Sequence, residues 1–138
     1  MKIKELEQNF KNRNIDVLWF NTFCDIKDYL LEQIPTTASV GIGNSKSLKK
    51  MDITKYLVDR GSVVFDKALT QADGNEADVI RLKKASLLAD CYISSANAVS
   101  IDGRIVNIDH SGNSVAAITY GPDKVYIVVG KKIGRAHV

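Results

Sequence analysis

The sequence predicts an α/β fold, a mostly parallel sheet flanked by helices with a β-hairpin insertion, and three features carry that expectation. Short β-prone runs alternate with amphipathic helical patterns along the chain, the order that builds parallel sheets covered on both faces. The one strong hairpin signal, Asp102-Gly103, sits between the short runs at Ala98–Val99 and Ile105–Ile108. The chain has 138 residues, of which 45% are hydrophobic and 25% charged, enough for one domain with a real core. No internal repeat, low-complexity tract or linker divides it.

Taken in order, Ile3, Leu6 and Phe10 recur at spacings of three and four, so residues 2–13 read as a helix with one apolar stripe. Ile15 to Phe20 reads as a first strand. Thr22 is placed to cap a helix carrying Phe23, Ile26, Tyr29, Leu30 and Ile34, and Pro35 ends it because the residue before proline is pushed out of helical geometry. Ser39 to Ile42 is a short strand that runs into Gly43, Asn44, Ser45, Lys46 and Ser47. Helical segments with Leu48, Met51, Ile53 and Leu57 then close near Gly61. A strand over Ser62–Phe65, a polar loop with Asp73, Gly74 and Asn75, and a helix from Ala77 to Leu88 follow. Cys91–Ser94 is the next strand, the run from Val115 to Ile118 a helix, and Lys124–Val129 the last strand.

The formal net charge is +3 and the sequence pI is about 8.8, but lysine and arginine are spread along the chain without aromatic interleaving or a nucleic-acid motif. The charge reads as solvated surface, and neither nucleic acid nor membrane is expected as a partner. Cys24 and Cys91 suit neither a zinc knuckle nor a disulfide framework, so both are expected to be reduced and structural. Without an apolar N-terminal run or a long apolar span, the expected location is the cytoplasm.

Two stretches hold the unusual polar chemistry. In the first, Gly41, Gly43, Asn44, Ser45, Lys46 and Ser47 form a strand end, a glycine turn and a helix start. Glycines there let backbone approach a ligand, hydroxyls donate, and Lys46 adds charge. The spacing is neither a phosphate loop nor a dinucleotide fingerprint, so an ordinary capped helix accounts for it equally well. The second runs from Ser94 to Asn113 and supplies Ser94, Ser95, Asn97, Asn107, Asp109 and Asn113. Because ligands of parallel sheets collect at the carboxyl ends of strands, the two stretches are expected to share one crevice. Asp109 is the carboxylate there suited to general-base or cation-binding work, and it reads equally as the cap of a turn or helix. Catalytic residues are not otherwise identified. His110 completes no Ser-His-Asp or metal-ligand arrangement, and no metal site or cofactor site is evident in the chain.

The run NAVSIDGRIVNID followed by GNSVAAITYGP resembles the lactate-utilisation (LUD) domain family, whose pattern is close to NAxTxxGxLVNIDxxGNRVAAxxxGPxxV. The segment from Gly41 to Leu48 is similar to that family's GxGxSxTL-like stretch, with Lys46 at a variable position. One departure is Ser114, where the family usually has arginine, a residue able to grip a carboxylate through paired hydrogen bonds. The resemblance implies a fold related to the ribose-phosphate isomerase, glucosamine-phosphate deaminase and CoA-transferase group. It also implies a role in bacterial lactate oxidation, with iron-sulfur centres in partner proteins, possible oxidase subunits among them. Three readings stay open: a domain binding a small organic anion or a phosphorylated or CoA-linked metabolite, an isomerase or acyl-CoA transferase acting at the strand ends, and a non-catalytic interaction subunit.

The resemblance also sets the expected bounds of the domain. Residues 1–132 are expected to form a single, incomplete LUD-type domain. The last six residues, IGRAHV, fit nothing before them and correspond in codons to a stretch of a common sequencing adapter, so residues 133–138 read as a non-native tail.

Overall fold

The computed structural model describes residues 2–69 and 75–130. Of the sequence expectations, the loop residues Asp73 and Gly74 and the tail 133–138 lie outside the described residues.

Helix α1 (Ile3–Lys11) comes first, followed by α2 (Phe23–Gln33), β1 (Val40–Ile42), α3 (Lys46–Met51), α4 (Ile53–Asp59) and β2 (Val64–Phe65). Then come α5 (Glu76–Ser86), β3 (Cys91–Ser95), the short strands β4 (Ala98–Val99) and β5 (Ile105–Val106), α6 (Asn113–Thr119) and β6 (Lys124–Val128). Strands β2-β1-β3-β6 form a four-stranded sheet in that order, all parallel, and β4 and β5 pair separately as an antiparallel hairpin. This is the α/β architecture the alternating pattern predicts.

Local chemistry fixes the helix ends where the sequence places them. The Thr22 hydroxyl accepts from the Asp25 amide at 3.1 Å, and Ile34, preceding Pro35, leaves the helix with ψ at 117°. The Arg60 guanidinium takes up the carbonyls exposed there, donating to Leu31 O at 2.7 Å and Ile34 O at 2.8 Å. That stitch between α2 and the end of α4 has no local signature in the sequence.

Residues 15–20 correct the sequence reading, since no strand forms there. Asn14, in the left-handed region with φ at 61°, turns the chain after α1, and the Ile15 amide bonds back to Phe10 O at 3.0 Å. Beyond that turn the segment is anchored by side chains instead of a ladder. Val17 packs into a core cluster, Trp19 Nε1 donates to the Glu7 carboxylate at 2.6 Å, and the Phe20 ring sits 5.3 Å from that of Tyr29. The run is β-prone in composition but pairs with no strand among the described residues.

Side-chain alternation along the strands divides the core in two. On one face Val40, Ile42, Cys91, Ile93 and Val128 pack with Leu30, Ile34, Leu48, Met51, Ile53 and Leu57 from α2, α3 and α4. On the other, α5 and α6 lie over β1 and β3, while Ile127 and Val129 meet Leu6 and Phe10 of α1 and Val99, Ile101 and Ile105 of the hairpin.

Between these layers Gly41 makes room for the Tyr92 ring. A Cβ on Gly41 would stand 2.7 Å from Tyr92 Cδ1 and 3.2 Å from Ser86 Cβ, with Tyr92 only 1% exposed. Gly41→Ala is therefore expected to overpack the sheet and cost about 1–3 kcal/mol. Urea denaturation tests it: an unchanged midpoint would mean that the ring yields without cost.

Candidate functional site

Strand order opens a cleft at the carboxyl edge of the sheet. From β1 the chain passes through α3 and α4 to β2 on one side, and from β2 it crosses through α5 to β3 on the other. The segments leaving β1 and β3 thus diverge, which is the topological switch point where open α/β sheets hold ligands. The cleft between them has a volume of about 190 Å³. One wall is Gly43, Asn44 and Ser45 after β1; the floor and opposite wall are Ser94, Ser95, Ala96 and Asn97 at the end of β3, with Asn107, Ile108, Asp109, Ser114 and Val115 from beyond the hairpin.

Of the residues singled out from sequence, Gly43, Asn44, Ser45, Ser94, Ser95, Asn97, Asn107 and Asp109 are brought together along this cleft, although about fifty residues separate its two walls. Four others lie off the lining. Gly41 is buried beneath Tyr92, Lys46 is exposed in the first turn of α3, Ser47 is half-buried behind it, and Asn113 accepts from the Ser111 hydroxyl at 2.8 Å. Lys46 thus lies outside the lining, and among the described residues Asp109 is the one charged residue along it.

Several lining groups are committed to holding the walls in place. The Ser45 hydroxyl caps α3 by accepting from the Leu48 amide at 3.1 Å, and the Gly43 amide donates to Ile93 O at 2.8 Å, tying the first wall to β3. Asn97 Oδ1 accepts from the Ile108 amide at 2.8 Å, which closes the base of the hairpin. Asp109 Oδ2 accepts from the amides of Ser114 at 2.6 Å and Val115 at 3.1 Å, so this carboxylate caps α6. Of the two sequence readings of Asp109, the cap is the one seen in the hydrogen bonds. Its Oδ1 and the side chains of Asn44 and Asn107 make no hydrogen bond among the described residues, which leaves acceptors and amide donors facing the cleft.

Sequence reasoning marks Ser114 only as a departure from the family pattern, and it does not place Ile108, Val115, Ala96 or Tyr92 among the site residues. Ser114 lines the cleft and its hydroxyl lies 2.8 Å from that of Tyr92. Burial pushes the Tyr92 phenol above its ordinary pKa, opposed by the Ser114 hydrogen bond and reinforced by the charges of Asp109 and Asp66. A tyrosine two residues before Ser94 in β3, and so on the same face of the strand, was the available signal. Among the described residues no group of three or more His, Cys, Asp or Glu side chains converges as a metal site, and both cysteines are free thiols, Cys24 exposed and Cys91 buried. No helix among them is long and apolar enough to cross a membrane.

Comparison with known families gives one finding: the model of the family described as LUD domain matches residues 3–133. No curated protein and no solved structure matches the chain.

The raised Tyr92 pKa predicts alkaline sensitivity. Its contribution to stability is complete below the unfolded phenol range, about pH 10, and is lost as pH climbs through the higher native value. Tyr92→Phe is expected to flatten that part of the stability profile. Chemical denaturation at stepped alkaline pH reads it, and an equally steep fall in the variant would assign the effect to other groups.

Proposed function

The chain belongs to the LUD domain family, and from that premise we propose that it binds a small hydroxylated organic anion of the lactate class in the cleft between β1 and β3. The single observation behind this reading is the convergence at a switch point of short hydroxyl and amide side chains in a space of about 190 Å³. Such a volume suits a ligand of a few heavy atoms, below the about 300–1,000 Å³ of pockets for drug-sized molecules. Asn44, Asn107 and Ser114 offer neutral donors for carboxylate oxygens, and the Asp109 Oδ1 offers an acceptor for a hydroxyl. The charge of Asp109 is partly offset by the two amides it caps, which lowers its repulsion of a bound carboxylate.

Binding without covalent catalysis is favoured because, among the described residues, the lining holds no glutamate of the kind an acyl-CoA transferase would use as nucleophile. On this reading the domain presents its ligand within a lactate oxidation system, and the redox centres sit in iron-sulfur partner proteins.

The cleanest probe is Asn107, which lines the cleft and makes no side-chain hydrogen bond among the described residues. Titration of L-lactate into isotope-labelled protein is expected to move the amide resonances of Asn44, Asn97 and Asn107. Asn107→Ala is expected to weaken binding about threefold to tenfold, the effect of one lost hydrogen bond, with an unchanged thermal midpoint. Resonance changes confined to regions away from the cleft, or full affinity in the variant, would refute the assignment.

A further inference from the structure

Tyr92 is the largest of the fully buried side chains, and its hydroxyl ends at the cleft wall. The ring is wedged against Gly41, and the hydroxyl lies near Gly43, where a Cβ would approach it to 3.4 Å. A buried phenol has to give its proton to an acceptor, and Ser114 Oγ is the hydrogen-bond partner that it has among the described residues. Either hydroxyl of the pair can donate, and with Ser114 Oγ as the one partner of the buried phenol among the described residues, the Tyr92 proton is satisfied when the phenol is the donor. Ser114 is anchored a second time, because its amide donates to Asp109 Oδ2 at 2.6 Å. With its backbone fixed and its oxygen accepting from Tyr92, the serine keeps one hydroxyl proton. No other side chain or carbonyl takes that proton among the described residues, and Ser114 faces the cleft.

We propose that Tyr92 is a positioning residue that donates to Ser114 Oγ and thereby turns the Ser114 hydroxyl proton into the cleft, where it donates to a carboxylate oxygen of the bound ligand. The inference rests on the cleft being the ligand site, as proposed above, and deepens it by assigning the side that recognises the acceptor oxygens. It makes the buried tyrosine a determinant of specificity: ligands with an acceptor oxygen at this wall gain from the aligned proton, and ligands presenting a donor there do not. A neutral hydroxyl pair performs the task where, among the described residues, the lining holds no cation.

The test is a double-mutant cycle read by calorimetric titration of L-lactate into the whole chain. Ser114→Ala is expected to weaken binding about tenfold, Tyr92→Phe by several-fold, and the double variant no further than Ser114→Ala alone, since the tyrosine acts through the serine. Ser114→Thr, which keeps the hydroxyl, is expected to stay within about twofold of the parent. A purely structural tyrosine would give independent losses that multiply, and that outcome overturns the relay. So does wild-type affinity in Ser114→Ala when the parent chain binds lactate. A parent chain that binds no lactate removes the proposed function and the relay together, which separates failure of the cleft from failure of the pair.

Discussion

The parallel pairing of β1 with β3 is the constraint on which the rest of the molecule depends, and it is held at both ends. At the amino end Asp90 Oδ2 accepts from the Ser39 amide at 2.8 Å, while the Asp90 amide donates to Ser39 Oγ at 2.9 Å. At the carboxyl end the Gly43 amide donates to Ile93 O. These clamps enforce the register Val40↔Cys91, Gly41↔Tyr92 and Ile42↔Ile93. A shift of one residue would move Tyr92 from the α5 face into the apolar layer beneath α2, and Ile93 out of it. The register therefore sets both the core and the height at which the two cleft walls meet.

The cleft shows a division between polar groups that build it and polar groups that face it. Ser45, Asn97 and Asp109 satisfy backbone amides of α3, the hairpin base and α6, so each wall is fixed by a residue that also lines the space. Asn44, Asn107 and Ser114 then stand on a rigid frame. Groups oriented before a ligand arrives lose little freedom on binding, which is how a few neutral hydrogen bonds acquire specificity.

The hairpin joins this frame to the amino-terminal helix. Asn9 Nδ2 donates to Ile101 O at 2.9 Å, and Gly103, with φ at +90°, lies so close to α1 that a Cβ would meet Asn9 O at 2.9 Å. Leu6 and Phe10 pack beneath against Val99. The base of the same hairpin carries Asn97 and Asn107, so α1 braces one cleft wall from a distance.

By itself the sequence determined the alternating elements, the cap at Thr22, the stop at Pro35, the Asp-Gly hairpin and the two polar stretches, because each follows from propensity, periodicity or turn chemistry within a few residues. It placed a strand at 15–20 because composition reports β propensity and not the presence of a neighbour. Strand order, the Arg60 stitch to α2 and the meeting of Gly43 with Ser94 and Asn107 were decided by tertiary structure, being contacts between residues far apart in the chain. The same holds for the chemistry of single residues: Asp109 became a helix cap, Lys46 was left in solvent, and Tyr92 and Ser114 became partners. A side chain's identity lists the hydrogen bonds it can make, and only packing decides which of them the surrounding atoms complete.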